Sequence, residues 1–189
     1  MSNSIITKKA LAQALKDCMQ SKPLDKISIG EICERCGLNR KSFYYHFQDK
    51  YELVNWIYEM EINRKIQNEL KDKKAKELAL MICQSIYDDR VFYLNALQVS
   101  GPHSFHDYFC RKIEPLVDKT LSITREDGLD LSELSDVIGD FCLSSVRRWI
   151  ARPNPASPEK FLDELTTISV TLCSKMIGMF LPSQISPSD

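Results

Sequence analysis

Glycine and proline are scarce in this chain, 6 and 8 among 189 residues. That is too few for a fold turned at many tight hairpins, so a β-sandwich is disfavoured and helices are expected. An excess of charge of either sign is also missing, with 25 Lys and Arg against 26 Asp and Glu. Bulk charge therefore announces no nucleic-acid or membrane partner. Long hydrophobic runs are absent. Residues 168–181 make the longest candidate, and this stretch carries Lys175. It is too short to span a bilayer, which takes about 20 residues, and reads as a buried helix face. The first twenty residues hold no uninterrupted apolar segment and no small-residue cleavage site, so no secretory leader is expected. A Gly-rich phosphate loop, a nucleophile elbow and a His-Glu zinc motif are lacking too. The seven cysteines are odd in number and sit mostly at helical core positions. They suit a reducing cytoplasm better than a disulfide framework.

What is present is a globular balance, 43% apolar and 27% charged. The charge is unevenly spread. Residues 1–50 hold 9 Lys and Arg against 5 Asp and Glu, whereas the remainder is acidic. Apolar spacing is helical almost throughout. Leu11, Ala14, Leu15 and Cys18 recur at i, i+3, i+4 and i+7, which predicts a helix over about 5–21 ending before Pro23. Ser28 with Glu31 forms a capping box that starts a short helix, stopped by Gly37. Asn39 caps a third helix through 40–47. Asp49 with Glu52 makes a second capping box, opening a long helix to about Leu70. The polar run 71–76 reads as a junction. Helices are expected at about 75–88, 90–100, 103–124, 131–151 and 158–180, with a turn at 124–130. Ser157 followed by Pro158 is an N-cap with Pro at the first helical position.

Two short helices joined by a Gly turn are a helix-turn-helix signature, whose second helix enters the DNA major groove. Phe43 and Phe47, spaced i and i+4, can lock that helix onto a core. Asn39, Arg40, Lys41, Ser42, Tyr44, Tyr45 and His46 then supply groups for base edges and phosphates. Ser28 and Lys50 stand at helix N-termini, where free N–H groups favour a phosphate. The fold class expected is all-α. Residues 1–50 form a three-helix DNA-binding domain, with helix four, 49–70, as connector. Residues 51–183 form a helical regulatory and dimerisation domain, and 184–189 a disordered tail.

Residues 28–53, SIGEICERCGLNRKSFYYHFQDKYEL, resemble the DNA-binding core of the tetracycline-repressor (TetR) family of bacterial transcriptional regulators. The likeness extends over about residues 5–60. It lies in the Ile-x-x-x-x-Gly turn helix, the Tyr-x-x-Phe end of the recognition helix and the Lys-x-x-Leu opening of helix four. The resemblance implies that Tyr44, His46 and Lys50 hold phosphates and that Arg40, Lys41 and Tyr45 face bases. Lys41 and His46 depart from the family's usual small residue and Tyr. The segments IYDDRVFYLNALQVSGPHSFHDYF and RRWIARPNPASPEKF resemble a subgroup that includes regulators of dihydroxyacetone kinase operons. That implies control of dihydroxyacetone or glycerol metabolism, in some cases with a kinase-like co-regulator.

A homodimer on double-stranded DNA is expected, with no cofactor, no metal and no membrane. Apolar faces with Leu134, Ile138, Phe141 and Cys142, and with Leu165, Ile168, Leu172 and Met176, are its candidate contacts. Between a small apolar molecule in the body and a partner protein outside it, the partner is favoured as the signal, since the aromatics that would line a pocket weigh as core. Tyr93, His103 and His106 are candidates for the first, Arg147, Arg148 and Trp149 for the second. The aromatics Phe92, Tyr93, Phe105, Tyr108 and Phe109 weigh more as core than as pocket lining. Cys33-x-x-Cys36 weighs towards packing rather than zinc or redox chemistry, since no second Cys pair exists. His103-x-x-His106-Asp107 has a spacing that could gather metal ligands or serve a small helical enzyme, but no third ligand is evident in the sequence.

Overall fold

A computed structural model describes residues 3–99, 101, 103–121 and 131–180. Ten α-helices account for most of them, and no strand occurs among the described residues. They are α1 (Asn3–Met19), α2 (Ile29–Arg35), α3 (Arg40–His46), α4 (Lys50–Tyr58), α5 (Arg64–Glu69), α6 (Ala75–Asp88), α7 (Arg90–Ala96), α8 (Phe105–Leu121), α9 (Leu131–Ile150) and α10 (Pro158–Phe180). The expected turn at 124–130, the last residues of the helix placed at 103–124, and the tail lie outside the described residues.

The N-terminal head forms because its local signals agree. Leu11, Ala14, Leu15 and Cys18 are all buried on one face of α1. Ser28 closes the expected capping box: its hydroxyl accepts from Glu31 N at 3.2 Å, and its own N–H donates to Glu31 Oε2 at 2.9 Å. Gly37 adopts φ +68, a left-handed conformation open to glycine at little cost. Leu38 N then donates to Cys33 O at 2.9 Å and Gly37 N to Glu34 O, the paired bonds of a Schellman stop. The Asn39 side chain accepts from Ser42 N at 2.8 Å. Phe43 and Phe47 are buried, as their spacing requires.

Three local expectations change. Asp49 caps α4 by accepting from Tyr51 N and Glu52 N, but Glu52 reaches back to Gln48 N at 2.6 Å and not to Asp49. The capping box is therefore displaced by one residue. A single 3₁₀ turn at Leu24–Lys26 buries Leu24 between α1 and α2. The long fourth helix is continuous to Glu69 but contains a π turn, Glu59–Asn63, between α4 and α5. Such single-turn insertions are rare and often mark functional sites.

The body packs α8 against α9 and α6 against α10, with α4 lying between body and head. Gly139 permits the first contact. A Cβ there would stand 2.3 Å from Cys110 Sγ, so any larger residue would force the helices apart. Phe92, Tyr93, Phe105 and Phe109 are core residues, as weighed from the sequence. Their rings meet Tyr58 and one another edge-on or tilted, with centroids 4.9–6.1 Å apart. Each buried aromatic of this kind stabilises by roughly 1.5–3 kcal/mol through area alone.

Candidate nucleic-acid interface and regulatory body

The second helix of the head, α3, is too short to hold itself together and depends on its inner face. With Phe43 and Phe47 turned inward, Arg40, Lys41, Tyr44 and Tyr45 are exposed, Tyr45 by 83%. Tyr44 and Tyr45 thus set two aromatic rings beside Arg40 and Lys41 on the outward side of the helix. His46 is half-buried, with its ring 4.8 Å from that of Tyr45. Burial and the nearby Lys8 lower its pKa, favouring neutral imidazole. Arg40 folds back over the start of α2, where a Cβ on Gly30 would meet its Nη2 at 2.7 Å. Gly30 thus gives the guanidinium a shelf beside the outward face. Asn39 and Ser42 are tied to each other by the cap, with Ser42 Oγ also donating to Asn39 Oδ1 at 3.2 Å.

At the N-terminus of α2, Glu31 is held by Lys22 and by both polar groups of Ser28. The Lys22 ammonium is the main reason that its carboxyl falls to about 2, followed by the Ser28 N–H and hydroxyl. Lys50 is placed differently from a free phosphate-holding cation. Its ammonium donates to Ile27 O at 2.7 Å and Asp25 O at 2.9 Å, stapling α4 to the 3₁₀ turn. Burial lowers its pKa, partly offset by Asp25 and Asp49. The outward residues of α3 are thereby brought together on one surface, while Lys50 points into the head.

Cys33 is buried, and Cys36 Sγ donates to Ile32 O at 3.3 Å, so the pair packs the head as the core reading supposes. The head is fastened to the body by two polar clusters that the sequence did not announce. Lys16 of α1 bridges Glu61 at 2.7 Å and Asp89 at 2.6 Å, with its ammonium 5.2 Å from the Phe92 ring. Burial pulls its pKa down, but the bonds to Asp89 and Glu61 outweigh it and leave it raised. Glu59, in the π turn, accepts from Tyr108 Oη at 2.7 Å and Asn63 Nδ2 at 2.9 Å, and stands 3.3 Å from Lys112 Nζ.

The effector and partner candidates are scattered. Tyr93 lies inside the core, and its hydroxyl finds no hydrogen-bond partner among the described residues. It is no handle on an open pocket. Trp149 is buried, which corrects the expectation of an exposed anchor beside the arginines. Its indole stacks on Phe161 at 4.2 Å and 2°, lies 5.5 Å from Tyr87, and donates to Ala156 O at 2.8 Å. An indole buries a large area and its N–H needs an acceptor; Phe161 and Tyr87 supply the cover and the Ala156 carbonyl the acceptor. Arg147 and Arg148, one helical step earlier, remain exposed.

His103 has φ +69, an uncommon left-handed conformation outside glycine, and its carbonyl accepts from Asn55 Nδ2 at 3.2 Å. It is not joined to His106. Instead His106 Nε2 lies 2.8 Å from Asp140 Oδ1 on α9, and its Nδ1 is 3.4 Å from Asp107 Oδ1. Cys110 is one turn further along α8, and its thiol is pushed up to about 11 by burial and then by Asp140, Asp136 and Asp107. The i, i+4 spacing of His106 and Cys110 was the available sequence signal; Asp140 comes from another helix. Between α6, α8, α9 and α10 lies an apolar cavity of about 380 Å³, lined by Ile82, Cys83, Phe109, Val117, Cys142 and Leu165 among others.

The far side of α9 and α10 is apolar and uncovered, which corrects the expectation of a buried face at 168–181: residues 168–176 are largely exposed in the single chain. Leu134, Ile138 and Leu165 pack into their own body, whereas Val137, Phe141, Ile168, Leu172, Met176 and Met179 are exposed. No helix among the described residues is long and apolar enough to cross a membrane.

The family description "Bacterial regulatory proteins, tetR family" matches residues 11–57, and a TetR "Transcriptional regulator C-terminal region" matches residues 73–170. The chain is similar to the "HTH-type dhaKLM operon transcriptional activator DhaS" of Lactococcus lactis subsp. lactis (strain IL1403), at 30% identity over 121 residues. That match covers 64% of this chain and 64% of that relative. A solved structure titled "Dihydroxyacetone kinase operon activator DhaS" superposes with a TM-score of 0.58 at 24% identity, over 90% of this chain and 98% of that one. NalD, described as the secondary repressor of the MexAB-OprM multidrug efflux pump in Pseudomonas aeruginosa, superposes with a TM-score of 0.65 at 17% identity, over 89% and 97%. These two structural likenesses speak for the fold.

Proposed function

Because the chain belongs to the TetR family of bacterial transcriptional regulators, we propose that it works in the cytoplasm as a homodimer whose two α3 helices enter successive major grooves of an operator. The observation that carries the reading is the division of α3: two buried phenylalanines hold it, and its cationic and aromatic residues face outward. Arg40, Lys41 and Tyr45 read base edges, a guanidinium being matched to guanine O6 and N7. Tyr44, His46, Asn39 and Ser42 contact phosphate and sugar, and Ser28 adds a hydroxyl at the start of α2. The exposed strip on α9 and α10 supports dimerisation, which sets the two heads about 34–36 Å apart. The protein acts by binding rather than by catalysis.

The similarity to DhaS supports control of genes for dihydroxyacetone use. Fluorescence anisotropy with DNA from upstream of such genes tests both levels of the reading. Binding that falls steeply with salt and prefers one segment is expected. Equal affinity for unrelated duplexes would defeat sequence-specific recognition, and preference for another promoter would defeat the pathway.

The apolar cavity favours a small apolar ligand as the signal over a partner protein. It lies where a bound molecule would wedge α6 from α8 and α9. The partner surface has meanwhile lost Trp149 as its aromatic anchor. Such a ligand must bind one state of the body more tightly than the other to shift the heads.

A further inference from the structure

We propose that His106, Cys110 and Asp140 form a binding site for a divalent transition metal of zinc type, clamped between α8 and α9. The imidazole nitrogen, thiol sulfur and carboxylate oxygen all lie within 4.8 Å of one another. Zinc takes nitrogen at about 2.0–2.1 Å, sulfur at about 2.3 Å and carboxylate oxygen at about 2.0–2.2 Å. Rotamer adjustments of about an ångström close the three donors on such an ion. Two features aim them. Gly139 lets Cys110 Sγ lie against the backbone of α9 beside Asp140, since even a Cβ there would meet the sulfur. Nε2 faces Asp140 Oδ1 at 2.8 Å, the gap an ion would enter, and Asp107, 3.4 Å from Nδ1, would accept from the remaining ring N–H once a metal holds Nε2. This is the carboxylate–histidine–metal arrangement that orients ligating imidazoles. A fourth position falls to water.

The donor set discriminates. Thiolate and imidazole select zinc, cobalt(II) and related ions over magnesium or calcium, which prefer oxygen cages. On binding, the Cys110 S–H bond breaks, the sulfur keeps the electron pair as a ligand and the proton passes to solvent. The site lies on the opposite side of α8 from its contacts with the helix that carries the head. His106 and Cys110 face α9, while Tyr108 and Lys112 engage Glu59. The proposal does not rest on the operator reading, because its test reads metal directly.

The full chain, stripped with chelator, is titrated with Co²⁺ and Zn²⁺. One equivalent per chain is expected, with a thiolate-to-cobalt charge-transfer band and the d–d absorption of a four-coordinate centre. Cys110→Ser should abolish the charge-transfer band. His106→Gln and Asp140→Asn, at more accessible positions, should weaken binding by more than the roughly 10–100-fold that losing an outer-shell partner costs, while His103→Gln should not change it. Circular dichroism checks each variant, and the Asp140→Asn arm decides the matter if Cys110→Ser misfolds. Absence of the band in the parent would overturn the site. So would a band surviving Cys110→Ser, which would belong to another of the seven cysteines. Equal affinity in all variants would mark adventitious binding by surface carboxylates and overturn it too.

Discussion

Replacing Lys50 with Met separates two roles that the sequence could not tell apart. Met keeps the aliphatic stem and removes only the ammonium. That ammonium donates to the carbonyls of Asp25 and Ile27 at 2.9 and 2.7 Å. Hydrogen bonds to charged groups contribute about 1.5–3 kcal/mol each when well buried. Lys50 is only partly buried, and burial lowers its pKa, so desolvation offsets part of the gain. A net loss of about 1–2 kcal/mol is expected after that discount. In a chain of this size it corresponds to a fall of roughly 2–8 °C in the melting midpoint. If Lys50 acts as an internal staple, operator affinity drops with little change in salt dependence, because no phosphate contact is lost. If it holds a phosphate, the slope of log K against log salt flattens by about 0.9 for each contact removed. Thermal unfolding followed by calorimetry and an anisotropy titration at four salt concentrations read both quantities. A slope flattened by that amount with an unchanged melting midpoint would refute the staple.

Arg40→Ala should relax base preference and cost roughly 1–3 kcal/mol of specific binding, measured against a panel of single-base operator variants. Leu172→Glu should convert dimer to monomer by light scattering, since a carboxylate would face the apolar strip of a second copy. Trp149→Phe should cost about 1–3 kcal/mol in urea unfolding, as it leaves the Ala156 carbonyl without its donor. Burial pushes the Glu59 carboxyl up, but the bonds from Tyr108 and Asn63 and the nearby Lys112 together outweigh it and hold it below the ordinary carboxylate range. Its contribution is present above the unfolded pKa and is lost as pH falls through the lowered folded value. Tyr108→Phe should therefore lose stability at neutral pH and show a shallower acid decline in a pH series of melting midpoints.

The head was legible because its determinants are local. The Ser28–Glu31 box, the Gly37 stop and the Asn39 cap each act over three or four residues, and each forms as read. The Phe43–Phe47 spacing likewise says which way α3 faces. The body resisted because its decisive contacts join distant segments. Trp149 and its neighbour Arg148 look equally available in sequence, yet only Phe161 and Tyr87 decide that the indole turns inward. Asp140 means nothing to His106 until α8 and α9 meet across Gly139. The π turn at Glu59–Asn63 has no caps or glycine to announce it. It is held by partners from α8, which no reading of residues 49–70 alone could supply.

These long-range contacts converge on α8, and the convergence restricts how a signal can travel. One face of α8 meets the π turn through Tyr108 and Lys112, and His103 O, just before the helix, meets α4; another face meets α9 at Asp140 and Gly139 through His106 and Cys110; the apolar cavity touches α8 at Phe109 and Val117. A ligand at either of the last two places therefore bears on the same helix that grips α4, although Pro115 divides the His106–Cys110 segment from the Val117 end of the cavity. Because α1 is tied to the π turn by Lys16 and Glu61, a small shift of α8 reaches the head through two bonds rather than through a flexible linker. Packed helices have few alternative arrangements, so such a shift selects between discrete head spacings instead of bending the body by degrees. A cavity ligand and a metal would both bear on α8, so a coupling between their effects on DNA would run through that helix.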